Sequence, residues 1–333
     1  MADLILLTGV SGFIAKHVAL KFLSAGYGVR GTLRRLDRAE EVRAALRPDL
    51  DAEALARLSF VVCDLERDAG WDAAMAGVVA VVHTASPFPI VQPKDAQDLI
   101  RPAVEGTRRV LLAAAKAGVA RVVLTSSTVA VMNGRDGVLD EGDWCDPNSG
   151  VSAYAQSKVL AERAAWEVAA QSGLALTVIN PGFVLGPPLD ANFGSSVGVV
   201  RRILRGRDPM LPDLSFACVD VRDVAEMHLR AVQRPETAGK RYLAVAGAMA
   251  MPEMGRVLQG AYPARRIPTR VAPKVLLRML GLFDRQIRAI LPELGKRLVV
   301  SNARARGEMA MEFVAVAEAL RASAAWLVAN KAV

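Results

Sequence analysis

Apolar residues fall in two rhythms along this chain. Apolar-rich runs at 4–7 (LILL), 59–63 (SFVVC), 78–82 (VVAVV), 121–124 (RVVL) and 176–179 (LTVI) read as strands, the first of them uninterrupted and buried on both faces, as in a parallel sheet. Residues 28–33 (GVRGTL) make a further strand. Between the runs the spacing changes to three and four residues. Ile14, Val18 and Phe22 share one helical face, and residues 95–117 form a long helix ending at Gly118, a residue suited to the left-handed C-terminal position. The stretch VSAYAQSKVLAERAAWEVAA, residues 151–170, is a third helix, and residues 38–57 read as exposed helix broken at Pro48. Strand and helix in alternation predict an α/β fold, a Rossmann-type doubly wound parallel sheet.

After Pro188 the rhythm shortens. Helices at 195–204, 221–233 and 252–259 alternate with Pro- and Gly-rich connections, and an amphipathic stretch at 313–328 is expected to pack back on the body. No internal repeat and no flexible linker is present. The expected division is a dinucleotide-binding domain over 1–188 that carries the chemistry, and a smaller, mainly substrate-binding lobe over 189–333, with some segments returning to the first.

Composition narrows the class. A hydrophobic content of 52% describes a folded protein, and no apolar run reaches the roughly 18 residues of a membrane span. Asp3 stands where a signal peptide would be basic. The three cysteines, Cys63, Cys145 and Cys218, are odd in number and lack metal-ligand spacing, so no metal is expected and a reduced cytoplasm is the simplest location. The net charge of +8 is concentrated at 265–306, where eleven Lys or Arg face only Asp284 and Glu293. No aromatic interleaving or binding motif accompanies the charge, so a solvated surface is expected rather than a nucleic-acid site; no membrane partner is expected either.

The chemistry begins where the first strand ends. Thr8-Gly9-Val10-Ser11-Gly12 joins a buried strand to a helix, which sets free backbone N–H groups beside a positive helix end. That is an anion site, and a dinucleotide pyrophosphate is its usual occupant. The second strand ends not in the acid that holds a ribose 2′-hydroxyl in NAD sites but in Arg34 and Arg35, with Arg38 close behind. A guanidinium there grips a 2′-phosphate, which favours NADP. Asp64 ends the third strand, placed to accept from an adenine amino group or to cap the next helix. Small residues Thr84, Ala85 and Ser86 end the fourth strand and suit close packing against a cofactor. His83 beside them is expected to be a hydrogen-bonded structural residue. The fifth strand opens into Thr125-Ser126-Ser127, hydroxyls where α/β sheets bind ligands. Tyr154 and Lys158 lie four apart on one helical face. The segment Asn180-Pro181-Gly182-Phe183-Val184 leaves the sheet on the same side.

The order TGVSGFIA, GTLRR, CDL, HTASPF, LTSS, YAQSK and NPGFVLGPP resembles the extended short-chain dehydrogenase/reductases, in the branch of dihydroflavonol and cinnamoyl-CoA reductases. HTASPFP and YAQSKVLAERAAWE are especially similar to the yeast-type NADPH-dependent aldehyde and methylglyoxal reductases. The similarity runs, with gaps, from residue 3 to about 247. It implies that Gly9, Ser11, Gly12, Phe13 and Ile14 hold the pyrophosphate, with Ser195 or Ser196 a further phosphate contact. Arg34 and Arg38 hold the 2′-phosphate, Asp64 and Leu65 flank the adenine, and Thr84 to Ser86 with Thr125 line the middle of NADPH. Pro181, Gly182 and Val184 cover the nicotinamide. Ser127, Tyr154 and Lys158 form the catalytic set, with Tyr154 the proton donor and Lys158 also holding the nicotinamide ribose. A Lys ammonium and a cationic nicotinamide are expected to lower the phenol's pKa.

The implied activity is NADPH-dependent reduction of an aldehyde or ketone to an alcohol, by a monomer or homodimer. Phe88, Phe183 and Phe193 are candidate apolar lining, and Val129, Met132 and Trp144 lie in the preceding loop. A sugar-nucleotide epimerase or dehydratase, or an NAD-linked alcohol or sterol dehydrogenase, uses the same residues. A non-catalytic dinucleotide-binding redox sensor is the reading from another class.

Overall fold

The computed structural model describes residues 2–86, 95–132, 137–297 and 299–333. Its strands are β1 (Leu4–Thr8), β2 (Gly28–Leu33), β3 (Leu58–Val62), β4 (Ala80–His83), β5 (Arg121–Thr125), β6 (Val138–Leu139), β7 (Ala175–Pro181), β8 (Phe183–Leu185), β9 (Ser215–Asp220), β10 (Lys240–Ala244), β11 (Gly247–Ala250) and β12 (Val299–Val300). Seven of them form one parallel sheet in the order β10-β7-β5-β4-β1-β2-β3. Strand order reverses between β1 and β4, where Thr8 pairs with His83. That switch point opens a crevice at the carboxyl ends of the strands.

Burial on both faces explains the apolar runs. Leu6, Val81, Val122 and Val178 point to one face, under the helices Gln97–Lys116 and Ala153–Ser172. Their neighbours Ile5, Leu7, Ala80 and Val82 point to the other, under Phe13–Ser24 and Val221–Gln233. Every second residue therefore meets a different helical layer. β10 and the helix Val221–Gln233 both come from beyond Pro188, yet they complete the large sheet and cover it.

The remaining C-terminal elements form a second layer beside that sheet. β9 pairs in parallel with β8 and antiparallel with β11, and the helices Ser195–Arg205, Met251–Ala261 and Val316–Ala329 enclose a core that includes Val200, Cys218, Met254 and Leu320. β6 and β12 pair in parallel, so part of the segment read as loop from 133 to 150 is a short strand. The segment 38–57 is less exposed than its polarity implied. The helix Ala39–Leu46 buries Val42, Ala45 and Leu46 against the first layer, because its apolar residues fall three and four apart amid the charges.

Candidate active site

A cleft at the switch point holds two adjoining cavities. The first, about 700 Å³, is lined by Gly9, Ser11, Gly12, Thr32, Arg34, Asp64, Leu65, Thr84, Ala85, Ser86 and Asn192 among others. The second, about 380 Å³, is lined by Ser127, Val129, Met132, Tyr154, Gly182, Phe183, Ser195, Ser196, Ser215 and Phe216 among others. Leu99, near the start of the helix Gln97–Lys116, belongs to both walls.

The glycine turn is built for close approach. Gly9 has φ +65°, and a Cβ there would lie 3.0 Å from the Cα of Ala85. Its N–H donates to Thr32 Oγ1 at 3.0 Å. Opposite it, Thr8 Oγ1 accepts from the N–H groups of Thr84 and Ala85 at 3.1 and 3.0 Å and meets His83 Nδ1 at 2.8 Å. With its acceptor sites engaged, the Thr8 hydroxyl donates to Nδ1, which puts the imidazole proton on Nε2, facing Thr107 Oγ1 at 3.5 Å. Burial, with Lys158 adding to it, pushes the His83 pKa down to about 3. This neutral histidine ties the end of β4 to that of β1, as expected of a structural residue.

The arginines divide. Arg34 is exposed at the wall of the first cavity and is in no ion pair among the described residues. Arg35 pairs with Asp37 at 2.7 Å. Arg38 is held by Glu41 at 2.6 Å and reaches Ser11 Oγ at 3.4 Å, so it braces the glycine turn and is not among the lining residues. Asp64 lines the cavity and accepts from the Glu66 N–H at 3.1 Å; it caps a turn and no helix begins there. Phe13 and Ile14 pack into the core and are not among the lining residues. A glycine cradle, an uncommitted guanidinium at the β2 end and small residues at the β4 end fit a dinucleotide bearing a 2′-phosphate.

Two of the catalytic candidates, Ser127 and Tyr154, line the second cavity; Lys158 is not among its lining residues. Ser127 follows β5, and its hydroxyl and the Tyr154 phenol line the same cavity wall, close enough for the serine to favour the phenolate. Lys158 Nζ lies 5.8 Å from the centre of the Tyr154 ring. Burial lowers the Lys158 pKa to about 8, opposed by the Glu162 carboxylate. Burial pushes the Tyr154 phenol up and the Ser127 hydroxyl pulls it down. The side chains alone thus do not give the lowering expected for Tyr154, because removing the phenolate from water outweighs the help of one hydroxyl.

Other expected contacts fall elsewhere. Thr125 Oγ1 bonds to His228 Nε2 at 2.7 Å inside the core, Val184 is buried in the second layer, and Pro181 is buried at the end of β7. Gly182 lines the second cavity, and so do Ser195 and Ser196, with no place on the wall of the first. Phe183 stacks on Phe216, centroids 4.4 Å apart. Phe193 packs edge-on to Trp326, and Trp144 lies under Arg241 rather than in the cavity. Phe88 lies outside the described residues.

Sequence reasoning missed the support behind the site. Glu162, one turn beyond Lys158, accepts from Ser126 Oγ at 2.6 Å, Asn180 Nδ2 at 2.8 Å and Arg241 Nε at 2.6 Å. Asn180 also donates to the Ser127 carbonyl at 3.1 Å. One buried carboxylate so ties the catalytic helix to β5, β7 and β10. Sequence reasoning missed Leu99, Asn192 and Phe216 too.

The first comparison is with protein families: residues 5–246 match the NAD dependent epimerase/dehydratase family. The chain belongs to this family. It is an oxidoreductase of the extended short-chain dehydrogenase/reductase type. Among its relatives, cinnamoyl-CoA reductase 1 of Oryza sativa subsp. japonica is 40% identical over 269 residues, 78% of this chain and 76% of the relative. An anthocyanidin reductase of Vitis vinifera is 31% identical over 280 residues, 78% of this chain and 81% of that one. Yeast methylglyoxal/isovaleraldehyde reductase complexed with NADPH superposes with a TM-score of 0.82 at 26% identity, covering 99% of each chain. Among the described residues no group of His, Cys, Asp and Glu can hold a metal ion, and the three cysteines are buried and unpaired.

Proposed function

We propose that this chain reduces a neutral, largely apolar aldehyde or ketone to the alcohol with NADPH, using Ser127, Tyr154 and Lys158. The observation that carries the reading is that Ser127 and Tyr154 share the wall of a cavity none of whose described lining residues is charged. A sugar-nucleotide substrate would bring a diphosphate into that cavity, where no cation among the lining residues meets it. The stacked Phe183 and Phe216 instead offer a flat apolar wall.

The glycine turn and Arg34 would hold NADPH, which would supply the hydride that the carbonyl carbon accepts. The rest is the work of side chains. The Ser127 hydroxyl donates to the carbonyl oxygen as negative charge grows on it. The Tyr154 phenol gives its proton to that oxygen, which completes the alcohol and leaves a phenolate. Lys158, in its ammonium form, favours that phenolate, and Glu162 favours the ammonium. The yeast reductase complexed with NADPH and the cinnamoyl-CoA and anthocyanidin reductases support the cofactor and the direction.

The test is consumption of NADPH and NADH against aromatic and branched aldehydes, diketones, a β-keto ester and a dihydroflavonol. Turnover of neutral apolar carbonyls with NADPH preferred is expected. Silence across the panel with both cofactors, or NAD that co-purifies tightly with turnover of a sugar nucleotide, overturns the reading.

A further inference from the structure

Beyond the cleft, the segment between Pro268 and Glu293 turns the ordinary amphipathic pattern inside out. The helix Lys274–Leu280 buries Leu277 against Ala272, Leu294 and Leu214. Its outward side is apolar: Val275 is 67% exposed, Met279 62%, Leu282 69% and Phe283 90%. Val275 and Met279 are four apart on one side of the helix, and Leu282 and Phe283 follow in the turn that ends it. A phenylalanine that exposed projects from the surface and touches little of its own chain.

Cations surround these tips. Residues 270–290 carry Arg270, Lys274, Arg278, Arg285 and Arg288 against the single acid Asp284. Neighbouring acids are occupied: Asp213 pairs with Arg297, and Glu293 with Lys296 at 3.1 Å. Asp284 accepts from the N–H groups of Gln286 and Ile287 and caps the next helix. Lys274, Arg278, Arg285 and Arg288 are exposed and in no ion pair among the described residues.

We propose that this basic, apolar-tipped lobe docks the enzyme on an anionic bilayer surface. Projecting apolar side chains enter the boundary between headgroups and acyl chains, while Lys and Arg stay among the lipid phosphates. A second copy of the chain fits less well, because two such faces would oppose five cations with five. No helix among the described residues is long and apolar enough to cross a membrane, so the contact is with the surface alone. It departs from the sequence-based expectation of no membrane partner, which rested on the lack of a span. Leu214, packed beneath the lobe, precedes Ser215 and Phe216 of the substrate cavity. Docking would therefore bring that wall near a phase where apolar carbonyls concentrate.

The experiment is flotation of the full chain with vesicles of phosphatidylcholine alone and of phosphatidylcholine mixed with phosphatidylglycerol. Flotation with the mixed vesicles only, weakened by salt, is expected. Lys274→Gln with Arg278→Gln should lower the partition coefficient roughly 30-fold, at about tenfold per 1.4 kcal/mol and ~1 kcal/mol per basic residue. Phe283→Ser should weaken it as well, and the emission of Phe283→Trp should shift to the blue on mixed vesicles. All these positions are exposed, so the variants are expected to fold. Absence of flotation, flotation unaltered by Phe283→Ser, or a dimer in solution that Phe283→Ser dissolves without any vesicle binding overturns the proposal.

Discussion

The Glu162 carboxylate lies 2.6 Å from the Arg241 guanidinium, although 79 residues separate them and neither side chain is more than 7% exposed. The pair joins the catalytic helix to the edge strand of the large sheet. Removing one partner of such a pair leaves a buried charge alone. Glu162→Ala should therefore cost roughly 3–5 kcal/mol of unfolding free energy, measured by denaturant titration. A loss below about 1 kcal/mol would mean that the pair is incidental.

Lys158 gives stability and rate opposite slopes with pH. Its folded pKa of about 8 lies below the ordinary 10.5, so between those values the unfolded chain binds the extra proton and stability rises with pH. The proposed proton delivery needs the ammonium, so the rate of carbonyl reduction should fall above about pH 8. Glu162→Gln withdraws the charge that favours the ammonium, and the falling limb should move to lower pH. A limb that stays in place would detach Glu162 from Lys158.

Arg34 should decide between the two nicotinamide cofactors. A charge-assisted hydrogen bond contributes ~1.5–3 kcal/mol, so Arg34→Ala should raise the KM for NADPH by roughly 10- to 100-fold and leave that for NADH nearly unchanged. Equal losses for both cofactors would remove Arg34 from the 2′-phosphate.

Gly31 permits the glycine turn to lie on β2: an added Cβ would fall 2.6 Å from Val10 Cγ1. Gly31→Ala should push the turn off its seat, costing about 1–3 kcal/mol and weakening NADPH binding, both read from thermal melts with and without NADPH. An unshifted melting temperature would show that the turn has room to give.

Six strands of the large sheet were legible because burial on both faces writes strands as apolar runs, and because Gly9 and Gly118 punctuate them; the edge strand β10, KRYLA, opens on two charges and was not. The strand end at Ser127 and the four-residue spacing of Tyr154 and Lys158 stood out in the sequence, and the resemblance joined them into one set. Long-range partners were not. Glu162 read as one charge among others on a helix, and nothing local joins it to Arg241 or Asn180. The layer β8-β9-β11 was missed because β8 is only three residues long and β9 and β11 show no strong alternation of apolar and polar positions. Thr125 shows a further limit: a hydroxyl at a strand end has two faces to choose from, and His228, far along the chain, claims it.

The central claim is proton delivery by Tyr154, and the most direct measurement is the turnover of Tyr154→Phe on the best carbonyl substrate at saturating NADPH. The phenyl ring keeps the packing and loses only the hydroxyl. Turnover should fall by roughly 10²–10⁴-fold while the affinity for NADPH holds. Turnover at the wild-type rate would contradict the account.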